Sequence, residues 1–197
     1  FVVPDGTRAV AFPPAQDYKR VGDGDTGPNT GGMGAYTPLP WAPDDLVETV
    51  TDTIVTPTLE EMKKRDAEFQ GLLYVGLALT AKGPKVIEFN ARFGDPETQA
   101  VLTLNATPLA QLLHAAANGD ISEYQELEQY PGAAVAVVMA ANGYPEEPTT
   151  GSRIAENQFS SGSVKIFHCG TARDEEERLV SASGRVMCAV GRGGSLK

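Results

Sequence analysis

The chain has 197 residues, 41% of them apolar and 21% charged, enough for one large or two small globular domains with a packed core. Its net charge of −10 argues against nucleic acid or an anionic membrane as a partner, yet allows a small phosphate compound held by a few Lys and Arg side chains. No apolar run is long enough to cross a membrane, no signal peptide is visible, and two cysteines are too few for a disulfide scaffold.

Residues 1–12 read as a hairpin turning at Pro4-Asp5-Gly6. Residues 13–43 are predicted as one long loop, because they hold Pro13, Pro14, Pro28, Pro38, Pro40 and Pro43 and six glycines from Gly22 to Gly34. A loop of that length in a compact domain is usually functional or disordered. Its fixed charges, Asp17, Lys19, Arg20, Asp23 and Asp25, favour function. Residues 44–65 follow a helical period, with Asp44 as cap, Pro57 as a kink or restart, and Lys63–Arg65 suiting the C-terminus.

The apolar run 71–80 and the segment 85–94 are strands joined at Ala81-Lys82-Gly83-Pro84, a hairpin. Residues 96–118 are helical, restarting with Thr107 as N-cap and Pro108 as first helical residue, and stopping at Gly119. Residues 120–131 turn polar and acidic, as in a linker. Beyond them 133–141, 163–171, 177–182 and 185–190 read as short strands, with a tight hairpin turn at Ala182-Ser183-Gly184. Cys169 and Cys188, both in strand-like surroundings, are expected as buried free thiols of a reducing compartment. The expected organisation is α+β, with residues 1–119 and 132–197 as two domains and 120–131 between them. The second is small, strand-rich and incomplete. The chain starts inside a strand at Phe1 and stops after one in GRGGSLK, so both ends are expected to continue into a longer protein.

Chemistry concentrates in two places. In VIEFNARFGDPE (86–97), alternation puts Glu88, Asn90 and Arg92 on one face of a strand, at steps of about 6.6–7 Å, and Ile87, Phe89 and Ala91 on the other, where they can be buried. Glu88 and Asn90 are hard oxygen donors that suit Mg²⁺, an ion that commonly takes one or two protein groups and completes its shell with water and phosphate. Arg92 can neutralise a phosphate or an acyl phosphate. Asp95, at the strand's end, can hold an attacking amine and accept its proton. A half-buried strand with a solvated polar face fits the same pattern.

The second place is QDYKRVGDGDTGPNTGGMGAY (16–36). Its glycines allow close backbone approach and can offer N–H groups to an anion, and Lys19 and Arg20 add positive charge. No Lys-Ser/Thr pair follows the glycines, so it is not a Walker loop, and it lacks the strand–loop–helix frame of a dinucleotide site. A solvated glycine-rich surface loop fits as well. His114 reads as a helix-packing residue, and His168 beside Cys169 does not make a metal site.

Together, QDYKRVGDGDTGPNTGGMGAY and, about fifty residues on, VIEFNARFGDPETQ resemble the phosphoribosylamine–glycine ligase family, as do GLLYVGL and VVMAANGYP. The resemblance runs along essentially the whole chain. It implies an ATP-grasp fold, a mostly antiparallel sheet with helices, and a cytoplasmic enzyme of purine synthesis. It further implies that glycine and 5-phosphoribosylamine are joined through a glycyl phosphate, with ATP cleaved to ADP and phosphate. On that resemblance Glu88 and Asn90 match Mg²⁺ or Mn²⁺ ligands, Arg92 and Asp95 active-site positions, and Lys19, Arg20, Gly31 and Gly32 the loop closing over phosphates and substrate. The family's N-terminal domain and earlier ATP-grasp subdomain have no counterpart here, so the chain alone is expected to be inactive. Tyr18 stands where the family often has His. Another ATP-grasp carboxylate–amine ligase, a non-catalytic module that would have lost Glu88 or Asn90, and a multifunctional fusion are the competing readings.

Overall fold

The computed structural model describes residues 1–155 and 162–196, and among them every strand pairing is antiparallel. The last residue of the GRGGSLK stretch, Lys197, lies outside the described residues. Short helices separate the strands, which is the α+β class expected. Contacts divide the chain into two units.

The first unit comprises Phe1–Pro14, Leu39–Gly94 and Asn105–Tyr130. Strands β1 (Val2–Pro4) and β2 (Ala9–Ala11) form the expected hairpin. Its turn is organised by Asp5, whose carboxylate accepts the amides of Thr7 at 2.9 Å, Arg8 at 2.7 Å and Ile121 at 3.1 Å. Burial pushes the Asp5 carboxyl upward, but these three amides outweigh it and the net shift is down. The predicted helix appears as α1 (Leu46–Val50), a π-helical turn at Thr51–Val55, and α2 (Thr56–Lys64). Pro57, which has no N–H to donate, stands at the start of α2, so the restart falls where expected. The cap is Asp45 rather than Asp44, and its side chain makes no cap bond.

Strands β5 (Tyr74–Thr80) and β6 (Gly83–Asn90) make the second hairpin. Val2, Leu46, Val50, Val55, Leu59 and Leu73 form this unit's core. Helix α3 (Glu97–Leu104) belongs to the other unit, and α4 (Leu109–Ala117) to this one. Pro108, not Thr107, is the α4 cap, because the Thr107 hydroxyl instead accepts the Glu128 amide at 2.7 Å.

The second unit comprises Ala15–Pro38, Asp95–Leu104 and the residues from Pro131 on. The predicted 13–43 loop is largely strand: β3 (Gln16–Gly22) and β4 (Thr26–Thr37) join β7 (Ala133–Ala140), β8 (Val164–His168) and β11 (Arg185–Gly193) in the order β3-β4-β7-β11-β8. Gly/Pro content argued for a loop, yet β4 gains ladder partners on both sides, and those bonds outweigh poor strand propensity. Ala100 and Leu104 of α3 pack with Ala35, Ala134, Ala136, Val138, Cys188 and Val190, which explains the run of small residues on one face of β7. The second unit gathers segments far apart in the chain, since β4 pairs with β7 and α3 packs on their sheet.

Strands β9 (Thr171–Arg173) and β10 (Leu179–Ser181) pair with each other. The predicted 182–184 turn therefore joins no hairpin; β11 goes instead to β7 and β8. Both cysteines are free; Cys188 is buried as expected, but Cys169 lies just past β8 and is exposed.

Candidate active site

In the first unit, Glu88 and Asn90 pair across the hairpin with Gly76 and Tyr74, so they share a face of β6 as alternation requires. A β-bulge intervenes on their N-terminal side: Gly76 pairs with Glu88 but Leu77 with Val86, leaving Ile87 without a partner. The expected burial of the apolar face does not occur among the described residues, where Ile87 is 70% and Phe89 42% exposed. Two further departures concern Arg92. The strand ends at Asn90, so Arg92 is not the third member of the polar row, and its guanidinium turns back to donate to the Phe93 carbonyl at 3.0 Å.

Glu88 is exposed, and its carboxylate makes no hydrogen bond or ion pair among the described residues. Gly76 gives it room: a Cβ there would stand 3.0 Å from Glu88 Cγ. No three His, Cys, Asp or Glu side chains gather into a metal cage among the described residues. The donor set, one uncommitted carboxylate and one amide oxygen on the same strand face, fits Mg²⁺ or Mn²⁺ bound mainly through water and phosphate rather than a closed protein cage.

In the second unit, Lys19 and Arg20 lie on β3 and Gly31 and Gly32 on β4. The register moves from Tyr18↔Gly34 to Arg20↔Asn29, so residues 30–33 of β4 bulge opposite Lys19. Thr30 ties the bulge down: its hydroxyl donates to the Lys19 carbonyl at 2.8 Å and accepts the Gly32 amide at 3.0 Å. The Gly31 amide donates to the Tyr144 hydroxyl at 2.9 Å. Both glycine amides expected to face an anion are thus engaged within the chain. Lys19 pairs with Asp17 at 3.4 Å, and Arg20 donates to the Gly27 carbonyl at 2.6 Å. The two cations stay exposed and can still reach a phosphate. Tyr18 stacks on Tyr36 with ring centroids 6.2 Å apart, and burial, then Tyr36, push its phenol above the usual value.

Asp95 sits in this unit beside the bulge. Its Oδ1 accepts Gln99 Nε2 at 2.9 Å, and its Oδ2 lies 3.5 Å from Arg185 Nη2. Gly32 (φ +124°) comes so close that a Cβ would meet Pro96 Cδ at 2.6 Å, which only glycine permits. Arg185, unremarked in the sequence, contacts Asp95, Gly31 and Gly32. No local pattern signals it, because three of its four partners among the described residues are backbone carbonyls.

Two domain models match in chain order: phosphoribosylglycinamide synthetase, ATP-grasp (A) domain, over residues 1–98, and phosphoribosylglycinamide synthetase, C domain, over residues 134–197. The chain belongs to the phosphoribosylglycinamide synthetase family. Among curated phosphoribosylglycinamide synthetase relatives, the phosphoribosylamine–glycine ligase of Mycobacterium leprae is 52% identical over 196 residues, covering 100% of this chain and 46% of that protein. That of Streptomyces coelicolor is 49% identical over 200 residues, covering 100% of this chain and 48% of that protein. The crystal structure of phosphoribosylamine–glycine ligase from Thermotoga maritima superposes with a TM-score of 0.87 at 35% identity, over 99% of this chain and 47% of that one. The biotin carboxylase domain of Hydrogenobacter thermophilus 2-oxoglutarate carboxylase shares the fold at 11% identity, with a TM-score of 0.70 over 98% of this chain and 40% of that one. The chain therefore has the ATP-grasp fold of the phosphoribosylglycinamide synthetases and spans about half the length of the curated relatives it matches.

Proposed function

We propose that this chain supplies the later half of the active site of an ATP-dependent ligase that joins glycine to 5-phosphoribosylamine, releasing ADP and phosphate. The observation that carries the reading is the match of both phosphoribosylglycinamide synthetase domains, in order, with the Glu88-to-Asp95 stretch and the Lys19-to-Gly32 flap inside the first. In the reaction, a glycine carboxylate oxygen attacks the γ-phosphorus and ADP leaves. The ribosylamine nitrogen then attacks the acyl carbon, the C–N bond forms, phosphate leaves with the C–O electron pair, and the nitrogen sheds a proton.

Such chemistry needs placement and charge neutralisation more than covalent help from the protein. Glu88 and Asn90 are the residues to hold Mg²⁺ or Mn²⁺, which when bound neutralises phosphate charge. Arg92 is free to swing from the Phe93 carbonyl onto a phosphate oxygen. Lys19 and Arg20 offer positive charge from the flap. Gly31 and Gly32 contribute by close backbone approach, since their amides are already used inside the chain. Asp95 orients the attacking amine through lone pairs left free by Gln99 and Arg185. ATP, glycine and phosphoribosylamine are the partners of this reading, and a cytoplasmic location goes with it.

The test is ADP release by a chain of the relatives' full length carrying this segment. Release that needs both glycine and phosphoribosylamine for full turnover is expected. Release indifferent to glycine contradicts the assignment.

A further inference from the structure

We infer that Arg185 is a positioning residue of this active site, locking the Gly31–Gly32 bulge and Asp95 into one arrangement, with Tyr144 as a second anchor. The inference rests on the reading above, in which Asp95 and the bulge face substrate. Four observations, all within the second unit, carry it.

Arg185 Nη1 points into three carbonyl oxygens, those of Asp95 at 2.5 Å, Gly31 at 3.1 Å and Gly32 at 3.4 Å, while Nη2 lies 3.5 Å from Asp95 Oδ2. The side chain is only 23% exposed, so this is a largely desolvated guanidinium whose carboxylate partner among the described residues is the candidate catalytic one. A planar fork with five donors can serve a carboxylate and several carbonyls at once; a lysine ammonium, a compact point charge, cannot reproduce that spread.

The bulge needs such an anchor. Residues 30–33 leave the β3–β4 ladder, so no strand partner fixes them. Apart from the local Thr30 hydroxyl, the bonds that hold Gly31 and Gly32 come from Tyr144 and Arg185, more than a hundred residues further along.

Both anchors are themselves aimed by local structure. The β11–β7 register slips between Arg185, which pairs with Ala140, and Met187, which pairs with Met139, so a bulge follows Arg185 directly. The Tyr144 ring lies against Gly184, where a Cβ would stand 2.2 Å from Tyr144 Cδ2, so the residue before Arg185 must be small for Tyr144 to reach Gly31. Finally, Asp95 gains a second constraint from Gln99, whose Nε2 takes the other carboxylate oxygen, leaving the carboxylate little rotational freedom.

The experiment compares Arg185→Lys, Arg185→Ala, Tyr144→Phe and Asp95→Asn in a chain of full family length, measuring kcat, the KM of each substrate and the thermal midpoint. A loss of placement of this kind lowers kcat about 100-fold in Arg185→Lys. The KM for ATP and the midpoint stay near wild type, and Tyr144→Phe shows a smaller loss of the same kind. Added guanidinium ion partly restores kcat in Arg185→Ala. A folded Arg185→Lys protein with wild-type kcat overturns the inference while Asp95→Asn still loses turnover. Full turnover in Asp95→Asn instead overturns the underlying reading of the site.

Discussion

Glu88 lies directly across the β5–β6 hairpin from Gly76, and a Cβ at position 76 would stand 3.0 Å from Glu88 Cγ and 3.3 Å from the Glu88 carbonyl. The absence of a side chain at 76 thus sets where the Glu88 carboxylate points. Gly76→Ala is expected to displace that carboxylate and raise the Mg²⁺ concentration for half-maximal ADP release about tenfold, the scale of lost support around a metal ligand. An unchanged Mg²⁺ titration in a normally folded variant contradicts this role for Gly76.

Gly32→Ala tests the closeness of the flap to the Asp95–Pro96 turn. A methyl group there meets Pro96 Cδ at 2.6 Å and the Asp95 carbonyl at 3.0 Å, in a backbone conformation that L side chains rarely adopt. The expected cost is about 1–3 kcal/mol of stability, with a loss of turnover. Chemical denaturation reads the first and ADP release the second. Wild-type values in both contradict the described packing.

Asp5 links the first hairpin to Ile121 and makes stability depend on acid pH. Its folded pKa is lowered below the ordinary 3.8, so its contribution is fully present above that value and lost as pH falls through the lower folded value. Asp5→Ala leaves the Thr7, Arg8 and Ile121 amides without their acceptor and should cost about 2–3 kcal/mol at neutral pH. Urea unfolding followed by circular dichroism at falling pH should show the advantage of wild type over Asp5→Ala steady above pH 3.8 and shrinking below it. An advantage that grows as pH falls below 3.8 contradicts it.

The two thiols should differ in access but share low reactivity. Burial pushes the Cys188 thiol up to about 12, with Cys169 and Asp95 adding to the shift, and Cys188 is fully enclosed. Burial and the Asp95 carboxylate also raise Cys169, which is nonetheless exposed. Alkylation of the native chain at pH 8 should label Cys169 slowly and Cys188 only after unfolding. Rapid labelling of Cys188 in the folded chain contradicts the buried sheet interior.

The β5–β6 hairpin, the restart at Pro57 and strands β7 and β11 were legible in the sequence because apolar runs, β-branched residues and Gly-Pro turns act locally, whereas the expected strand 163–171 divides into β8 and β9 of different sheets. The flap was not legible as strand. Its Gly/Pro composition speaks of loops, while β4 is paired by β3 and, at Gly34–Thr37, by β7, about a hundred residues later. The same distance hid Arg185, whose partners are mostly backbone carbonyls and carry no side-chain signature. Glu88 and Asn90 could be placed on one face from alternation alone, but the unpaired Ile87 could not be foreseen, since a bulge depends on the partner strand.

The most direct test of the whole account is ADP release by Glu88→Ala at saturating glycine and phosphoribosylamine, beside its thermal unfolding curve. Because Glu88 is exposed and makes no ion pair among the described residues, the unfolding curve should match wild type while metal-dependent ADP release disappears. Release at the wild-type rate from the folded variant would contradict the metal role of this strand and the ligase reading built on it.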